Sequence, residues 1–338
     1  MISVLLPFRS AAATLEDAMT STLADLDGGD ELIAIDDGSS DASLAIARRL
    51  AEGDRRVVLA ASGGTPVLAA GIVRALERGL AVARGERIGR MDADDLTLPG
   101  RFAAQRELLD ANPGLGAVAV QVEAFPEPTQ GMQRYLAWQA SVISRAEHAN
   151  AIFVESPLCH PATLIRRDAL LAVGGFRETS WAEDYDLWLR LDAAGWGFAK
   201  VPRVLFRWRM RADSVSRTDP RCSPEQFLAA RAFYLARRLR ERGAPFAVWG
   251  AGQTGRRLAR ALEAHGCRPV AFVDIDARKV GREARGAIVV AADEGIARAL
   301  RRELVLVVAV GAAGARDEVR GRLAAAGLTE GERFICAA

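Results

Sequence analysis

Three acidic clusters carry most of the chemistry that this sequence offers. Asp92-Ala93-Asp94 follows the apolar segment Arg87–Met91 and is extended by Asp95. Alternation along an extended segment points Asp92 and Asp94 the same way. Two hard oxygen ligands on one side suit Mg2+ or Mn2+, with diphosphate oxygens completing the shell. The bland reading is an acidic turn that caps the next helix. Asp36-Asp37-Gly38-Ser39-Ser40-Asp41 also ends a strand-like run. There Asp37 can accept from a base N–H or a ribose hydroxyl, while Asp41 reads as a helix N-cap. Trp181-Ala182-Glu183-Asp184-Tyr185-Asp186 opens an amphipathic segment. Capping explains one of its carboxylates, but not three beside two aromatics.

The elements that must place these residues alternate. Strands are predicted at Ile2–Pro7, Glu31–Ile35, Val57–Ala60 and Arg87–Met91, with helices at 11–26, 42–51 and 71–83 between them. That alternation indicates βαβ units and a mostly parallel sheet, so the fold class is α/β. Ligands bind such sheets beyond the carboxyl ends of the strands, where the first two acidic clusters fall. Further on, helices are predicted at 99–111, 131–144, 167–173 and 184–194, and strands at 116–125, 161–166 and 201–208. Leu187, Trp188 and Leu191 share one face of the helix after Glu183-Asp184.

A length of 338 residues suggests two domains. The pattern restarts at Pro245, giving a first domain at 1–221, a connecting helix at 222–243 and a smaller α/β domain at 244–338. The net charge of +2 gives no footing for nucleic acid or a strongly anionic membrane. Arginine outnumbers lysine, which occurs only as Lys200 and Lys279, and with the abundant Ala and Gly this marks a GC-rich genome. Arginine clusters such as Arg237, Arg238, Arg240 and Arg242 therefore read as a solvated helix face. Cys159, Cys222, Cys267 and Cys336 lie far apart and form no zinc spacing, which suits buried thiols in a reducing compartment. No run approaches the ~18–20 apolar residues of a membrane span, and the apolar run in MISVLLPFRS is short for a signal peptide and has no basic start. The expectation is a cytoplasmic protein, resting on a membrane if its acceptor is a lipid.

The segments SVLLPFRSAAATLEDAM, IDDGSSD, RALERGLAVARGERIGRMDADDLTLPGRF, CHPATLIRRDALLAVGGF and WAEDYDLWLRL resemble the family 2 glycosyltransferases of GT-A fold, in family order over about residues 1–215. The resemblance implies inverting transfer from a nucleoside-diphosphate sugar, most often a UDP sugar, to a glycan or lipid-linked hydroxyl. It implies that Asp37 reads the base, with Pro7 and Arg9 on the loop beside it. Asp92 would stand nearest the ribose and diphosphate, Asp94 would hold the metal, and Asp184 of the Glu183-Asp184 pair would be the general base. Arg207, Arg209 and Ser214 fall where relatives have a loop that closes over the diphosphate. Trp138 and Trp181 lie where the acceptor is chosen, and His160 is either an acceptor contact or a packed core residue. Glu77 stands where many relatives have Asn.

In the last domain, Gly250-Ala251-Gly252-Gln253-Thr254-Gly255 follows a strand and opens a helix, and Asp274 ends the next strand. That spacing fits a dinucleotide fingerprint, with NAD or another nucleotide at Gly250, Gly252, Gly255 and Asp274. The alternative is a Rossmann-like unit used for packing or oligomerisation. Two rival functions differ in class: a non-catalytic nucleotide or sugar sensor, and an NAD-dependent sugar oxidoreductase. Intact Asp92, Asp94 and Asp184 oppose the first. The second lacks a Tyr/Lys or His catalytic pair in the C-terminal half. A nucleotidyltransferase would need a Gly-rich, Arg-containing N-terminal loop that SVLLPFRSAA does not supply.

Overall fold

A computed structural model describes residues 1–60, 71–211 and 213–338. Contacts group the chain into two compact units. One is Met1–His148 with Pro157–Thr179 and Asp186–Thr218; the other is Ala149–Ser156 with Ser180–Tyr185 and Asp219–Ala338. The short segments Ala149–Ser156 and Ser180–Tyr185 thus group with the C-terminal residues rather than with their neighbours in sequence.

The elements through residue 141 are β1 (Ile2–Phe8), α1 (Leu15–Asp25), β2 (Glu31–Asp36), α2 (Ser43–Gly53), β3 (Val57–Leu59), α3 (Ile72–Val82), β4 (Arg87–Arg90), β5 (Leu96–Thr97), α4 (Arg101–Ala111), β6 (Leu115–Phe125) and α5 (Gln130–Ser141). Next come α6 (Arg145–Ala151), β7 (Thr163–Arg166), α7 (Arg167–Ala172), α8 (Glu183–Ala193) and β8 (Gly197–Arg209). The remaining elements are α9 (Val215–Thr218), α10 (Pro224–Arg242), β9 (Phe246–Trp249), α11 (Gln253–Glu263), β10 (Ala271–Asp274), β11 (Glu283–Ala284), β12 (Ala287–Ala291), α12 (Ala292–Leu300), β13 (Val305–Val308), α13 (Ala315–Ala325) and β14 (Phe334–Cys336).

The first sheet has the order β3-β2-β1-β4-β7-β6-β8-β5. Its β3-β2-β1-β4 half is parallel, and β1 is buried along its whole length. A strand covered on both faces reads as a continuous apolar run, as Ile2–Phe8 does. The chain runs outward from β1 to β3 and then returns to β4 on the other side of β1. The carboxyl ends of β1 and β4 thus flank a topological switch point. The other half is mixed: β7 runs antiparallel to both β4 and β6, whereas β6 and β8 are parallel. The core joins Leu6, Leu32, Phe102, Val118, Leu164 and Phe206.

Two boundaries moved for local reasons. The helix expected from Ala11 begins at Leu15, because Ala11 C=O accepts from both Thr14 and Leu15 in a turn. The strand expected from Pro161 begins at Thr163, because His160–Ala162 forms a 3-10 turn. Among the described residues no helix is long and apolar enough to cross a membrane, and the four cysteines form no disulfide.

In the second unit the sheet order is β11-β12-β10-β9-β13-β14, with β10-β12, β9-β10, β9-β13 and β13-β14 parallel. The chain enters at the centre and winds outward on each side in turn. Helix α10 precedes it. Ser223 caps α10 by accepting from Gln226 N–H, Pro224 opens it, and Gly243 (φ 64°) ends it in a left-handed turn.

Candidate active site

In the first unit, the loops after β1, β2 and β4 meet at the switch point. Pro7 is buried within β1, opposite Ile35, and Arg9 is exposed on the loop that follows. Asp37 N–H donates to Phe8 C=O at 2.9 Å, which ties the two strand ends together. The Asp37 carboxylate is buried. It accepts from Gly71 N–H at 3.0 Å and faces Arg78 Nη2 at 3.4 Å. Asp41 was expected to cap α2, but Ala42 holds the N-cap position. Asp41 instead accepts from Ala12 N–H and from the Ser43 N–H and hydroxyl, joining the β1–α1 and β2–α2 loops.

Asp92–Asp95 forms a turn rather than the extended segment expected from alternation. Thr14 Oγ1 donates to Ala93 C=O at 2.9 Å and holds the turn from α1. Asp92 and Asp94 remain partly exposed, while Ala93 and Asp95 are buried. Asp92 pairs with Arg90 at 2.6 Å. Asp94 stands 3.6 Å from Arg211, and its carbonyl accepts from Arg209 Nε at 2.6 Å. Arg209 N–H also donates to Asp95 Oδ1 at 2.7 Å, and the buried Asp95 Oδ2 has no hydrogen-bond partner among the described residues.

The electrostatics follow from that crowding. Burial, then the Asp92 charge, pushes the Asp94 carboxyl above its usual range. Burial, then Asp92 and Asp94, drives Asp95 well above it. A divalent cation relieves this excess of negative charge. No cluster of three or more His, Cys, Asp or Glu residues among the described residues is arranged to hold a metal. Asp92 and Asp94 could supply part of a shell. It fits a cation that arrives with other oxygen ligands, such as those of a diphosphate.

The second unit contains the Glu183-Asp184 pair, in the first turn of α8. Tyr185 anchors this turn: its hydroxyl donates to Ile152 C=O at 2.8 Å, and its ring stacks on Phe227 at 5.2 Å. Asp184 keeps part of its side chain accessible. Burial, then Glu183 and to a lesser extent Glu155, pushes its carboxyl up to about 7. Burial likewise raises Glu155, and the Cys222 thiol is pushed up to about 12 by burial, then by Asp184 and Glu183. Trp181 lies 5.8 Å from Phe233 of α10, ring to ring.

Residues 3–174 match the family described as glycosyl transferase family 2. The chain belongs to that family. It is a glycosyltransferase. It is 28% identical over 220 residues to the amylovoran biosynthesis glycosyltransferase AmsE of Erwinia amylovora, covering 64% of this chain and 79% of that one. Its fold is similar to that of S. aureus TarS 1–349 in complex with UDP-GlcNAc, with a TM-score of 0.56 and 17% identity over 78% of this chain and 72% of that one. A further structure of TarS 1–349 is spanned over 65% of its length. The mannosyltransferase PcManGT from Pyrobaculum calidifontis, in complex with GDP-Man and Mn2+, is similar at a TM-score of 0.50 and 17% identity over 97% of this chain and 81% of that one.

Several residues of the glycosyltransferase stand elsewhere than expected. Arg207 and Arg209 belong to β8, which pairs with β6 as far as Phe125, so neither lies on a loop. Arg207 pairs with Glu123 at 3.1 Å, and both guanidinium groups lie over the Phe125 ring. Asp186 forms a buried ion pair with Arg190 at 2.7 Å, which removes it from the chemistry of the acidic motif. His160 is buried between Phe176 and Trp188, and burial, then Arg90, pushes its pKa well below the usual value. This packing agrees with the core alternative for His160. Trp138 is half-buried on α5 beside Tyr135.

In the C-terminal loop, a Cβ on Gly250 or Gly255 would overlap Ala309 C=O or Gly250 C=O, whereas Gly252 has open space around it. Close packing thus accounts for two of the three glycines. Asp274 accepts from Ala251 N–H, Asp276 N–H and Lys279 Nζ, each at 2.9 Å. Its carboxylate is engaged within the protein itself.

Proposed function

We propose that this enzyme transfers a sugar from a nucleoside-diphosphate sugar to a hydroxyl acceptor, with inversion and with Mg2+ or Mn2+. The observation that carries this reading is the crowded Asp92–Asp94–Asp95 turn at the switch point. Negative charge concentrated in one turn attracts a cation, and its position is where α/β sheets bind nucleotides. A divalent cation bound by Asp94 and Asp92 would neutralise the diphosphate as it leaves.

The chain's own residues have separable tasks. Asp37 accepts from the nucleotide base, beside Pro7 and Arg9. Arg209 and Arg211 add positive charge near the diphosphate. Asp184, with Glu183 beside it, takes the acceptor proton; a carboxyl near 7 suits a base working at neutral pH. The hydroxyl oxygen then bonds to the anomeric carbon as the bond to the diphosphate breaks, and the leaving group keeps the electron pair. One displacement inverts the centre and needs no enzyme nucleophile.

A UDP sugar is the favoured donor, and a glycan or lipid-linked hydroxyl the acceptor, in synthesis of cell-surface or secreted glycan. Trp181, beside Phe233, offers an aromatic surface for that acceptor, and Trp138 a second. We place the enzyme in the cytoplasm, at the membrane surface when the acceptor is a lipid. We assign transfer to residues 1–221, the connection to 222–243 and a Rossmann-like domain to 244–338. Gly252 and its neighbours in that domain are the place for NAD or another nucleotide.

A thermal-shift screen of nucleoside diphosphates and NAD(H), with and without Mn2+, tests the reading, because binding to the folded state raises the melting temperature. The expected result is a Mn2+-dependent shift with one nucleotide. A shift with NAD alone would overturn the donor-site reading.

A further inference from the structure

Arg101 is completely buried, yet among the described residues its guanidinium hydrogen-bonds to no carboxylate. Buried arginines ordinarily pair with an acid, because an isolated buried charge costs several kcal/mol. Burial pushes this side chain down to about 9, which reflects that cost. The fold keeps the residue nonetheless, and its partners show what it holds in return.

Arg101 Nη2 donates to Arg90 C=O and to Pro161 C=O, each at 2.8 Å. Nη1 donates to Thr97 Oγ1 at 3.1 Å and approaches the Met91 sulfur at 3.7 Å. Arg90 and Met91 lie immediately before Asp92, and Thr97 lies two residues after Asp95. One rigid planar group therefore grips both ends of the acidic turn. Its own placement is fixed. Asp25 accepts from Gly100 N–H and Phe102 N–H at the start of α4, and Gln105 Oε1 takes Arg101 Nε at 3.2 Å. The Phe102 and Phe206 rings lie 4.6 and 4.8 Å from the guanidinium carbon. Gln105 extends the network to Ala162 C=O and Val118 C=O.

We propose that Arg101 is a positioning residue for the donor site, clamping the two ends of the Asp92–Asp95 turn and so setting where Asp92 and Asp94 stand. The inference rests on the donor-site reading above. Lysine cannot replace the clamp, because an ammonium lacks the fixed fork that reaches Arg90 C=O and Thr97 Oγ1 together. Groups that support metal ligands typically change metal affinity by about 10–100-fold when altered.

The test compares wild type with Arg101→Lys and with the gentler Thr97→Val, which removes one acceptor at nearly constant volume. The unliganded melting temperature is measured first. The Mn2+ concentration that gives a half-maximal thermal shift with UDP is measured second, with GDP substituted if only GDP shifts wild type. Arg101→Lys should raise that concentration about 10–100-fold, and Thr97→Val should raise it several-fold while staying folded. With donor sugar, KM should rise more than kcat falls. Folded variants with an unchanged Mn2+ requirement, whatever their melting temperatures, would show Arg101 to be structural only. A wild type with no Mn2+-dependent shift would overturn the donor-site reading itself, and this role with it.

Discussion

Arg211 stands 3.6 Å from Asp94 and binds Asp213 more closely, at 2.7 Å. Its side chain is 42% exposed, so neither pair contributes much to stability. A half-exposed guanidinium shared between two acids can turn toward an incoming anion at little cost. Arg211→Gln should therefore leave the melting temperature nearly unchanged and raise the donor KM several-fold. Asp94→Ala should abolish the Mn2+-dependent nucleotide shift altogether. Equal donor KM values in wild type and Arg211→Gln would remove Arg211 from the donor site.

The pH dependence of transfer follows from Asp184. A base must be ionised to accept a proton, and burial with Glu183 raises this carboxyl to about 7. The value of kcat/KM should thus rise with pH and reach half its plateau near 7. Glu183→Gln removes the like charge, lowers the Asp184 pKa and should move the acid limb to lower pH. Asp184→Asn should spare donor binding and lower kcat by about 10²–10⁴-fold. Normal turnover by Asp184→Asn would refute the base assignment.

The Asp186–Arg190 pair is the part of the acidic motif that serves the fold. Both side chains are nearly inaccessible, and Arg190 also donates to Val173 C=O and Gly175 C=O. Asp186→Ala leaves the guanidinium buried and uncompensated and should cost about 3–5 kcal/mol. Denaturant unfolding of the single variant checks this. A loss below about 1 kcal/mol would mean that Arg190 is compensated by its carbonyl partners alone.

Sequence patterning shows the strand ends well and their partners poorly. Period and turn chemistry placed Asp37 and Asp92 at the ends of buried strands, because local signals decide where a strand stops. Arg78, Arg90, Arg101 and Arg211 were lost among the many arginines of a biased composition, and nothing local distinguishes a buried guanidinium from a solvated one. Glu77 has a task that no local pattern shows. It accepts from Phe176 N–H at 2.7 Å, closing the turn that Gly174 and Gly175 form at positive φ. Glu155 lies far from Asp184 in the chain, and no periodicity joins the two. The short pairing of β5 with β8 escaped for the same reason: its partner strand is more than a hundred residues away.

The C-terminal loop separates packing from ligand binding through its glycines. A methyl group on Gly255 would overlap Gly250 C=O, whereas one on Gly252 meets open space. Gly255→Ala should therefore destabilise the second unit by about 1–3 kcal/mol, the usual cost of forcing atoms into a packed site. Gly252→Ala should leave stability almost unchanged. The bulkier Gly252→Trp then reports on a ligand: if NAD or another nucleotide shifts the wild-type melting temperature through this loop, that shift should vanish in Gly252→Trp. A shift that survives places the nucleotide elsewhere. It would also leave Asp274, already held by Ala251, Asp276 and Lys279, as a residue that closes the loop rather than one that reads a ribose.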